Sequence, residues 1–168
     1  MARPSLDRRT DQGGLTDTPA LTDPRLLSIP HEVVRHGPVD SLEAAAAARG
    51  LTPRQVLKTL VVRRSEDDYL FVLVPGDRAI SWPKLRRHLD VNRMTMPDPT
   101  EAKAVTGYER GTITPFGSLH QWPVIADASL PETVSIGGGA RGVSLTADRD
   151  DLIGALNASV ADVTEPQG

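Results

Sequence analysis

Two apolar runs separated by a polar loop constrain the fold more than any other part of the sequence. Residues 56–63 read V-L-K-T-L-V-V-R and residues 69–74 read Y-L-F-V-L-V, with the polar loop at residues 65–68 between them. Their β-branched and aromatic content predicts a β-hairpin. Because the first run is apolar almost throughout, we expect its strand to be central and covered on both faces. Aromatic residues make up only 4% of the chain, so the core must be aliphatic.

The rest of the chain predicts short strands interleaved with short helices. We therefore expect the α/β (α+β) class, with a mixed β-sheet or partly closed barrel flanked by short helices. N-cap signals predict four helices, which begin after Asp40 (with Glu43), Ser81, Asp98 and Asp148. Further strands are expected at Glu32–Arg35, Arg78–Ile80 and residues 94–96, 124–126, 134–136 and 141–145.

The domain organisation is predicted from where the apolar pattern starts and stops. No linker interrupts the middle of the chain, which indicates one domain over residues 25–160. Residues 1–24 are rich in Asp, Thr, Pro, Gly and Arg and lack apolar periodicity, which predicts a disordered tail. Residues 161–168 are polar, so we expect a second, frayed tail.

Composition and spacing exclude several kinds of site. The chain has no cysteine, which excludes disulfides, thiolate zinc ligands and a cysteine nucleophile. Its four histidines lack metal-ligand spacing, so we expect no metal. The net charge is −3, so any contact with nucleic acid requires a local basic patch. No apolar run approaches the roughly 18 residues of a membrane span, and we expect no membrane association.

The segment at residues 106–117, T-G-Y-E-R-G-T-I-T-P-F-G, is a loop whose backbone is shaped in detail. Gly107, Gly111 and Gly117 permit positive φ, and Pro115 fixes its own φ. The loop has no His or Cys, and Glu109 is its only carboxylate. Such a segment indicates a site that works through backbone N–H and C=O groups, and the alternative is a turn that only connects two elements.

Two other features could carry chemistry. Lys58 lies inside the first apolar run, where a charge costs free energy unless the ammonium reaches a cleft or a partner. The alternatives are a side chain that extends its tip into water and a salt bridge. Residues 137–142, G-G-G-A-R-G, form a second glycine-rich loop. It matches no phosphate-binding motif, so a tight hairpin is the simpler interpretation.

In this order along the chain, the features resemble the YbaK family, also called the prolyl-tRNA synthetase associated editing domain. The segments that carry the resemblance are Q-V-L-K-T-L-V-V, F-V-L-V-P-G-D-R, T-G-Y-E-R-G-T-I-T-P-F-G and V-S-I-G-G-G-A-R-G-V-S-L, and it covers roughly residues 30–158. The resemblance implies a trans-editing hydrolase that removes a wrong amino acid from tRNA, most often Ala, Cys or another small residue from tRNA for proline. With 168 residues the chain is too short to contain a synthetase, so we expect a freestanding, cytoplasmic deacylase.

The resemblance also implies roles for individual residues. Catalytic roles fall on Lys58, Gly111 and Thr114. Substrate binding is implied for Thr59, Thr112, Ile113, Pro115, Ser135, Gly137, Gly138, Gly139 and Ser144. An aminoacyl ester is already activated, so backbone donors and a lysine suffice and no cofactor is expected. The expected partners are the 3′ end of aminoacyl-tRNA and a prolyl-tRNA synthetase, with the chain itself a monomer or weak dimer.

Two departures from the family pattern leave other functions open. Cysteine-type members often carry Asp where this chain has Ser144. Alanine-type members tend to carry a pocket histidine near the end, and no histidine follows His120 here. A non-catalytic module that binds a tRNA end or an aminoacyl nucleotide is therefore the alternative. An adaptor that binds a protein partner through the N-terminal tail is a third hypothesis.

Overall fold

The computed structural model describes residues 18–167, and their strands form three β-sheets. In chain order the strands are β1 (Glu32–Arg35), β2 (Lys58–Ser65), β3 (Asp68–Val74), β4 (Arg78–Ile80), β5 (Val124–Asp127), β6 (Thr133–Gly137), β7 (Val143–Asp148), β8 (Ser159–Ala161) and β9 (Thr164–Pro166). One sheet has the order β2-β3-β5-β8, a second the order β1-β7-β6, and β4 pairs with β9. The first sheet is mixed, because β2 and β3 are antiparallel whereas β5 is parallel to both β3 and β8. The predicted α+β class with a mixed sheet is confirmed.

The helices are short and begin at capping residues. They are α1 (Pro24–Leu27), α2 (Leu42–Ala48), α3 (Trp82–Leu89), α4 (Pro99–Thr106) and α5 (Arg149–Leu156). Ser81, Asp98 and Asp148 accept backbone N–H groups at the starts of α3, α4 and α5, as predicted. The prediction of Asp40 as a cap is wrong by one residue, because the Ser41 hydroxyl accepts the Ala44 N–H at 3.0 Å. Within the described part of the chain, no helix has the length and apolar character needed to cross a membrane.

The four-stranded sheet has an apolar core on each face. Phe71 and Leu73 of β3 belong to one core, which is shared with β6, β7 and α5. Leu70, Val72 and Val74 of the same strand belong to the other core, which is shared with β4 and α3. All five side chains are at most 1% exposed. β3 therefore lies at the centre of the molecule, between the two cores. Burying each of these side chains stabilises the fold by about 1.5–3 kcal/mol.

The prediction that the first apolar strand is central is wrong. β2 pairs with β3 on one side and is the edge strand of its sheet. Both of its faces are still covered, with Val61 in one core and Val62 in the other. The apolar content of β2 therefore indicates that both faces of the strand are covered. It does not indicate whether another strand pairs with its outer edge. The segment at residues 94–96 forms only an isolated bridge, between Thr95 and Arg63, instead of the expected strand.

Both predicted tails include residues that are packed in the structure. Pro19–Thr22 form a 3-10 turn, and Ala20 and Asp23 are buried. Residues 18–24 therefore belong to the folded part, whereas residues 1–17 lie outside the described residues. At the other end, Thr164–Pro166 pair with β4 and Val163 is fully buried, so these residues are not frayed.

Candidate functional site

A cavity of about 600 Å³ lies between β2 and the loop at residues 106–117. Five of the residues that the sequence analysis singled out line it: Lys58, Thr59, Gly111, Ile113 and Gly137. They come from three separate segments, so the fold brings β2, the first glycine-rich loop and the end of β6 to one place. A cavity of this volume has the size of ordinary small-molecule sites.

The outer edge of β2 offers backbone hydrogen-bonding groups to the cavity. The Arg63 N–H donates to the Thr95 carbonyl at 2.8 Å, and the Leu57 N–H donates to the Ser135 carbonyl at 2.8 Å. The backbone N–H and C=O groups of the odd-numbered residues therefore point away from β3. The backbone groups of alternate residues in a strand share one direction, so the N–H and C=O groups of Thr59 and Val61 also point away from β3. Within residues 18–167 their outward N–H and C=O groups have no backbone partner, and both residues line the cavity.

The first glycine-rich loop faces the cavity with only part of its length. Gly111 and Ile113 line the cavity, and their N–H groups donate no hydrogen bond within the described residues. Gly111 has a φ of +87°, and a Cβ added there would meet no atom within 4 Å. The loop therefore presents backbone to open space at this point. Thr112 turns inward, where its hydroxyl donates to the Glu109 carbonyl at 2.8 Å.

Several side chains of this loop are buried in the protein and do not face the cavity. Thr114 is fully buried, and its hydroxyl accepts the Phe116 N–H. Tyr108 is 3% exposed and donates from its hydroxyl to the Phe116 carbonyl at 2.7 Å. Burial raises the pKa of Tyr108 to about 12, so this phenol stays protonated at neutral pH. Thr112, Thr114 and Pro115 therefore shape the loop and do not line the cavity.

The packed N-terminal residues hold this loop from behind. The Asp23 carboxylate accepts the Gly117 N–H at 2.8 Å and pairs with Arg25 at 2.8 Å. Arg25 in turn donates to the Pro115 carbonyl at 2.9 Å. Burial would raise the pKa of Asp23, but the hydrogen bonds from Arg25 and the Gly117 N–H outweigh it and hold this pKa below its usual value.

The second glycine-rich loop reaches the cavity only at its first residue. A Cβ at Gly137 would lie 3.2 Å from the Ile113 carbonyl oxygen, so the two loops touch there. Gly138 instead faces Val143 and accepts the Thr18 hydroxyl at 2.6 Å, and Gly139 packs against Tyr108. Ser144 is fully buried in β7 and does not line the cavity.

Lys58 lines the cavity, but its ammonium has a partner in the protein wall. The Nζ atom donates to the carbonyl oxygen of Arg78 at the start of β4. Partial burial lowers the pKa of Lys58, and the negative charge of Asp77 opposes that shift. The side chain is thus held in one place by β4, which suits a positioning and electrostatic role.

Two arginines of the cavity wall were not predicted from the sequence. Arg49 follows α2, and its guanidinium donates to the Ser135 hydroxyl at 3.0 Å. Ser135 is itself fully buried, so this predicted substrate-binding residue reaches the cavity only through Arg49. Arg110 is exposed and precedes Gly111 at the cavity wall. The sequence showed only that each arginine stands beside a glycine, which is too weak a signal to identify either.

The charge of the cavity wall has one sign. Among the residues that the structure describes, its lining includes Lys58, Arg49 and Arg110 and no Asp or Glu. The protein as a whole carries a net charge of −3, so this cationic surface is local. Within residues 18–167, no three His, Asp or Glu side chains cluster closely enough to hold a metal ion. The cavity therefore suits a ligand that is anionic or rich in hydrogen-bond acceptors.

Comparison with known proteins gives a consistent family. The profile of the aminoacyl-tRNA editing domain family matches residues 36–155, which include all the cavity residues named above. EbsC of Enterococcus faecalis, a candidate Cys-tRNA(Pro)/Cys-tRNA(Cys) deacylase, is 24% identical over 126 residues, which are 74% of this chain and 77% of EbsC. The proline–tRNA ligase of a Geobacillus species is 26% identical over 95 residues, which are 56% of this chain but only 17% of the ligase.

The fold is also shared with solved structures. The crystal structure of a candidate trans-editing enzyme for prolyl-tRNA synthetase superposes with a TM-score of 0.75 and 26% identity, over 80% of this chain and 87% of that chain. A hypothetical protein of known structure superposes with the same TM-score at 23% identity, and it covers 84% of this chain. The second likeness is one of fold alone.

Proposed function

This chain belongs to the aminoacyl-tRNA editing domain family, and we propose that it hydrolyses the ester bond of mischarged aminoacyl-tRNA. The substrate we propose is tRNA for proline that carries a small amino acid such as Ala or Cys. One observation carries the proposal: a cationic cavity of about 600 Å³ lies between the open edge of β2 and the exposed backbone at Gly111 and Ile113.

The cavity fits the chemistry of an RNA 3′ end. Lys58, Arg49 and Arg110 supply positive charge for a polyanionic substrate, and no acidic side chain from residues 18–167 lines the wall to oppose it. Unbonded backbone groups at Thr59 and Val61 can pair with the polar edges of a nucleoside or with the α-amino group. The volume exceeds that of one amino acid, so it can hold the aminoacyl group together with its terminal nucleoside.

The reaction requires little help beyond positioning. Water adds to the ester carbonyl carbon and releases one proton to solvent, and a tetrahedral oxyanion forms. The bond between this carbon and the ribose oxygen then breaks; the ribose oxygen takes up a proton, and the amino acid leaves as a carboxylate. The N–H groups of Gly111 and Ile113 are free to stabilise the oxyanion, since they donate no other hydrogen bond within the described residues.

We assign Lys58 a binding and electrostatic role. Burial lowers its pKa, but the amine would need a pKa about 3 units below its ordinary value to act as a base near neutral pH. Its ammonium also donates to the Arg78 carbonyl, which fixes the charge at the cavity wall. A fixed positive charge attracts the phosphate and carbonyl oxygens of the substrate.

A deacylation assay tests the proposal directly. The full chain is incubated with tRNA for proline charged with Ala, Cys, Ser, Thr or Pro, and loss of the ester is followed against a protein-free sample. We expect rapid loss for at least one small noncognate amino acid and none for Pro. Tight binding of charged tRNA with no acceleration for any amino acid would instead support the non-catalytic module and overturn the enzyme assignment.

The role of Lys58 has a matched control in Lys84. Both side chains are partly buried and donate to a backbone carbonyl, Lys58 to Arg78 and Lys84 to Thr164, but Lys84 does not line the cavity. We expect Lys58→Met to lower the deacylation rate at least about tenfold and Lys84→Met to leave it unchanged. Equal rates in the two variants, with both folded by circular dichroism, would remove Lys58 from the mechanism.

The proposed partners follow from the same site. The negative net charge disfavours strong independent affinity for tRNA, so we propose that a prolyl-tRNA synthetase delivers the mischarged product in the cytoplasm. The matched segments of proline–tRNA ligases are consistent with such a division of labour. Addition of the synthetase should lower the concentration of mischarged tRNA needed for half-maximal rate, and no change would count against this partnership.

A further inference from the structure

Arg49 is an unusual residue of the cavity wall because, within residues 18–167, its charge has no counter-ion. The side chain lines the cavity, is partly buried, and uses its Nη1 atom to donate to the Ser135 hydroxyl at 3.0 Å. Its Nε atom is buried and has no hydrogen-bond partner. Within residues 18–167 no carboxylate pairs with it. The described residues therefore give this guanidinium one neutral acceptor for five N–H donors.

Arg25 is another partly buried arginine of this protein, and unlike Arg49 it has a carboxylate partner in the described part of the chain. The Arg25 side chain is 23% exposed and forms a 2.8 Å ion pair with Asp23. Arg49 has no such partner among the described residues, and burial lowers the pKa of its guanidinium with no charged group opposing the shift. A partly buried charge without a counter-ion costs folding free energy. Such a charge on a cavity wall is typical of a group that binds an anionic ligand.

A second unsatisfied polar group lies on the same cavity. The Thr59 hydroxyl is buried without a hydrogen-bond partner, and Thr59 lines the cavity together with Arg49. Buried polar atoms of native proteins are nearly always paired, so these two groups of one wall are able to take a polar ligand as their partner. The wall formed by residues 18–167 has no Asp or Glu, so none of these residues competes with an anionic ligand for Arg49 from the cavity side.

We infer that Arg49 forms an anion-binding subsite of the cavity that takes the 5′-phosphate of the terminal nucleotide of the RNA substrate. The identity of the nucleotide rests on the proposed function. An esterified amino acid has no free carboxylate, so the phosphate on the 5′ side of the terminal ribose is the anion nearest to the scissile bond. The planar guanidinium fork matches two phosphate oxygens, and Ser135 holds the fork in place.

The subsite is tested with adenosine 5′-monophosphate, adenosine and inorganic phosphate as probes of the full chain. Isothermal titration at low ionic strength gives the dissociation constant of each probe for the wild type and for Arg49→Leu. We expect the wild type to bind the monophosphate about tenfold more tightly than adenosine, because a charge-assisted pair contributes that much. Arg49→Leu should bind the two equally, with its affinity for adenosine unchanged.

Arg93→Leu is the matched control, since Arg93 is exposed and does not line the cavity. This variant should keep the full preference for the monophosphate. Ser135→Ala removes the hydroxyl that holds Arg49, so it should reduce the preference without abolishing it. Arg49→Leu should also melt at the same temperature as the wild type or higher, because it removes an uncompensated charge.

Several outcomes would overturn the inference. The wild type could bind the monophosphate no more tightly than adenosine, or Arg49→Leu could keep the preference. Loss of stability in Arg49→Leu with an unchanged preference would give Arg49 a purely structural role. Arg49-dependent binding of inorganic phosphate without any preference for the monophosphate would mean that the subsite does not serve a nucleotide. No detectable binding of any probe would also count against it.

The subsite and the proposed function can fail separately. If charged tRNA is not deacylated but the Arg49-dependent preference is present, the anion subsite stands and the hydrolase assignment fails. If deacylation proceeds and the preference is absent, the hydrolase stands and Arg49 has no anion-binding role.

Discussion

The two loops are both rich in glycine but have different surroundings. In the first loop, at residues 106–117, a Cβ added to Gly111 would enter open space beside the cavity. In the second loop, at residues 137–142, a Cβ at Gly138 would lie 2.9 Å from the Val143 carbonyl oxygen, and one at Gly139 would lie 2.8 Å from the Tyr108 ring. The first loop thus uses a glycine to expose backbone to a ligand, and the second uses glycines to let other groups approach.

The packed N-terminal residues explain how the first loop keeps its shape without filling the cavity. Gly117 lies directly against the backbone of Pro19, and Asp23 accepts its N–H. The same segment contacts the second loop through Thr18 and Gly138. The N-terminal segment therefore contacts both loops. The loops differ in their position relative to the cavity, which the first loop lines at Gly111 and Ile113 and the second lines only at Gly137. A glycine-rich sequence by itself indicates close approach, and the structure decides whether protein or ligand approaches.

The largest expected loss of stability is at Gly117. Gly117→Ala would place a Cβ 2.4 Å from the carbonyl carbon of Pro19, which is backbone and cannot move aside, at a residue with a φ of +69°. We expect the free energy of unfolding to fall by about 3 kcal/mol or more. Urea denaturation followed by circular dichroism measures this change.

Gly37→Ala is the control for that substitution, because a Cβ at Gly37 would meet no atom within 4 Å. Its stability should stay within about 0.5 kcal/mol of the wild type. If Gly117→Ala were equally neutral, the N-terminal residues would not be packed against the first loop in solution.

Gly139 tests the second loop. Gly139→Ala has a φ of +92°, and its Cβ would lie 2.8 Å from the Tyr108 ring and 3.0 Å from the Thr18 hydroxyl, both of which are side-chain atoms. Because those side chains can shift, we expect a loss of about 2 kcal/mol in unfolding free energy. Deacylation at a temperature where the variant is folded should be close to wild type. A strong loss of activity without loss of stability would move the second loop into the site.

Much of the fold could be predicted because its signals are local. The β2–β3 hairpin follows from two apolar runs, and the caps of α3, α4 and α5 follow from single residues. The edge position of β2 could not be predicted, since it depends on what lies beside the strand. That side holds Ser135, Thr95 and the cavity, which come from distant parts of the chain.

The sequence predicted Lys58 and the backbone of the first glycine-rich loop as parts of the site, but it did not predict the two arginines of the cavity wall. Gly111 and Ile113 were found because a loop with several glycines and a proline constrains its own backbone. The orientation of Arg49 depends on Ser135, which is 86 residues away. The order of the N-terminal residues depends on the hydrogen bond between Asp23 and Gly117, which spans 94 residues. The local sequence around these residues does not indicate either contact.

Asp23 makes the support of the first loop dependent on pH. Its pKa is lowered in the folded state, so its contribution is fully present above the unfolded value, about pH 4, and is lost as the pH falls through the folded pKa. Asp23→Asn should cost about 1.5 kcal/mol in unfolding free energy at pH 7, because a charge-assisted pair with Arg25 is removed. Chemical denaturation of both proteins between pH 2.5 and 7 measures the difference.

Subtracting the two curves cancels the other carboxylates, including the buried Asp127, whose pKa is also lowered: burial opposes that shift, but hydrogen bonds from Ser129 and Val163 outweigh it. The difference between wild type and Asp23→Asn should be constant above about pH 5 and shrink below pH 4. A difference that grew on acidification would mean that Asp23 is not ionised against Arg25 and Gly117 in the folded protein.

Among the glycines compared in the two loops, Gly111 has the smallest expected effect on stability and the largest effect on function. Gly111→Ala meets no atom within 4 Å, so its only structural cost is a φ of +87°, about 1 kcal/mol in unfolding free energy. The new methyl group would stand at the cavity wall beside the N–H groups that we assign to the oxyanion. Deacylation should therefore fall by about 100-fold under single-turnover conditions, as for the loss of one oxyanion-hole donor. Gly111→Ala and Gly139→Ala should thus show opposite patterns, one losing activity and the other losing stability. If Gly111→Ala were fully active, the exposed backbone of the first loop would have no part in binding the ester, and the distinction between the two loops would be one of packing alone.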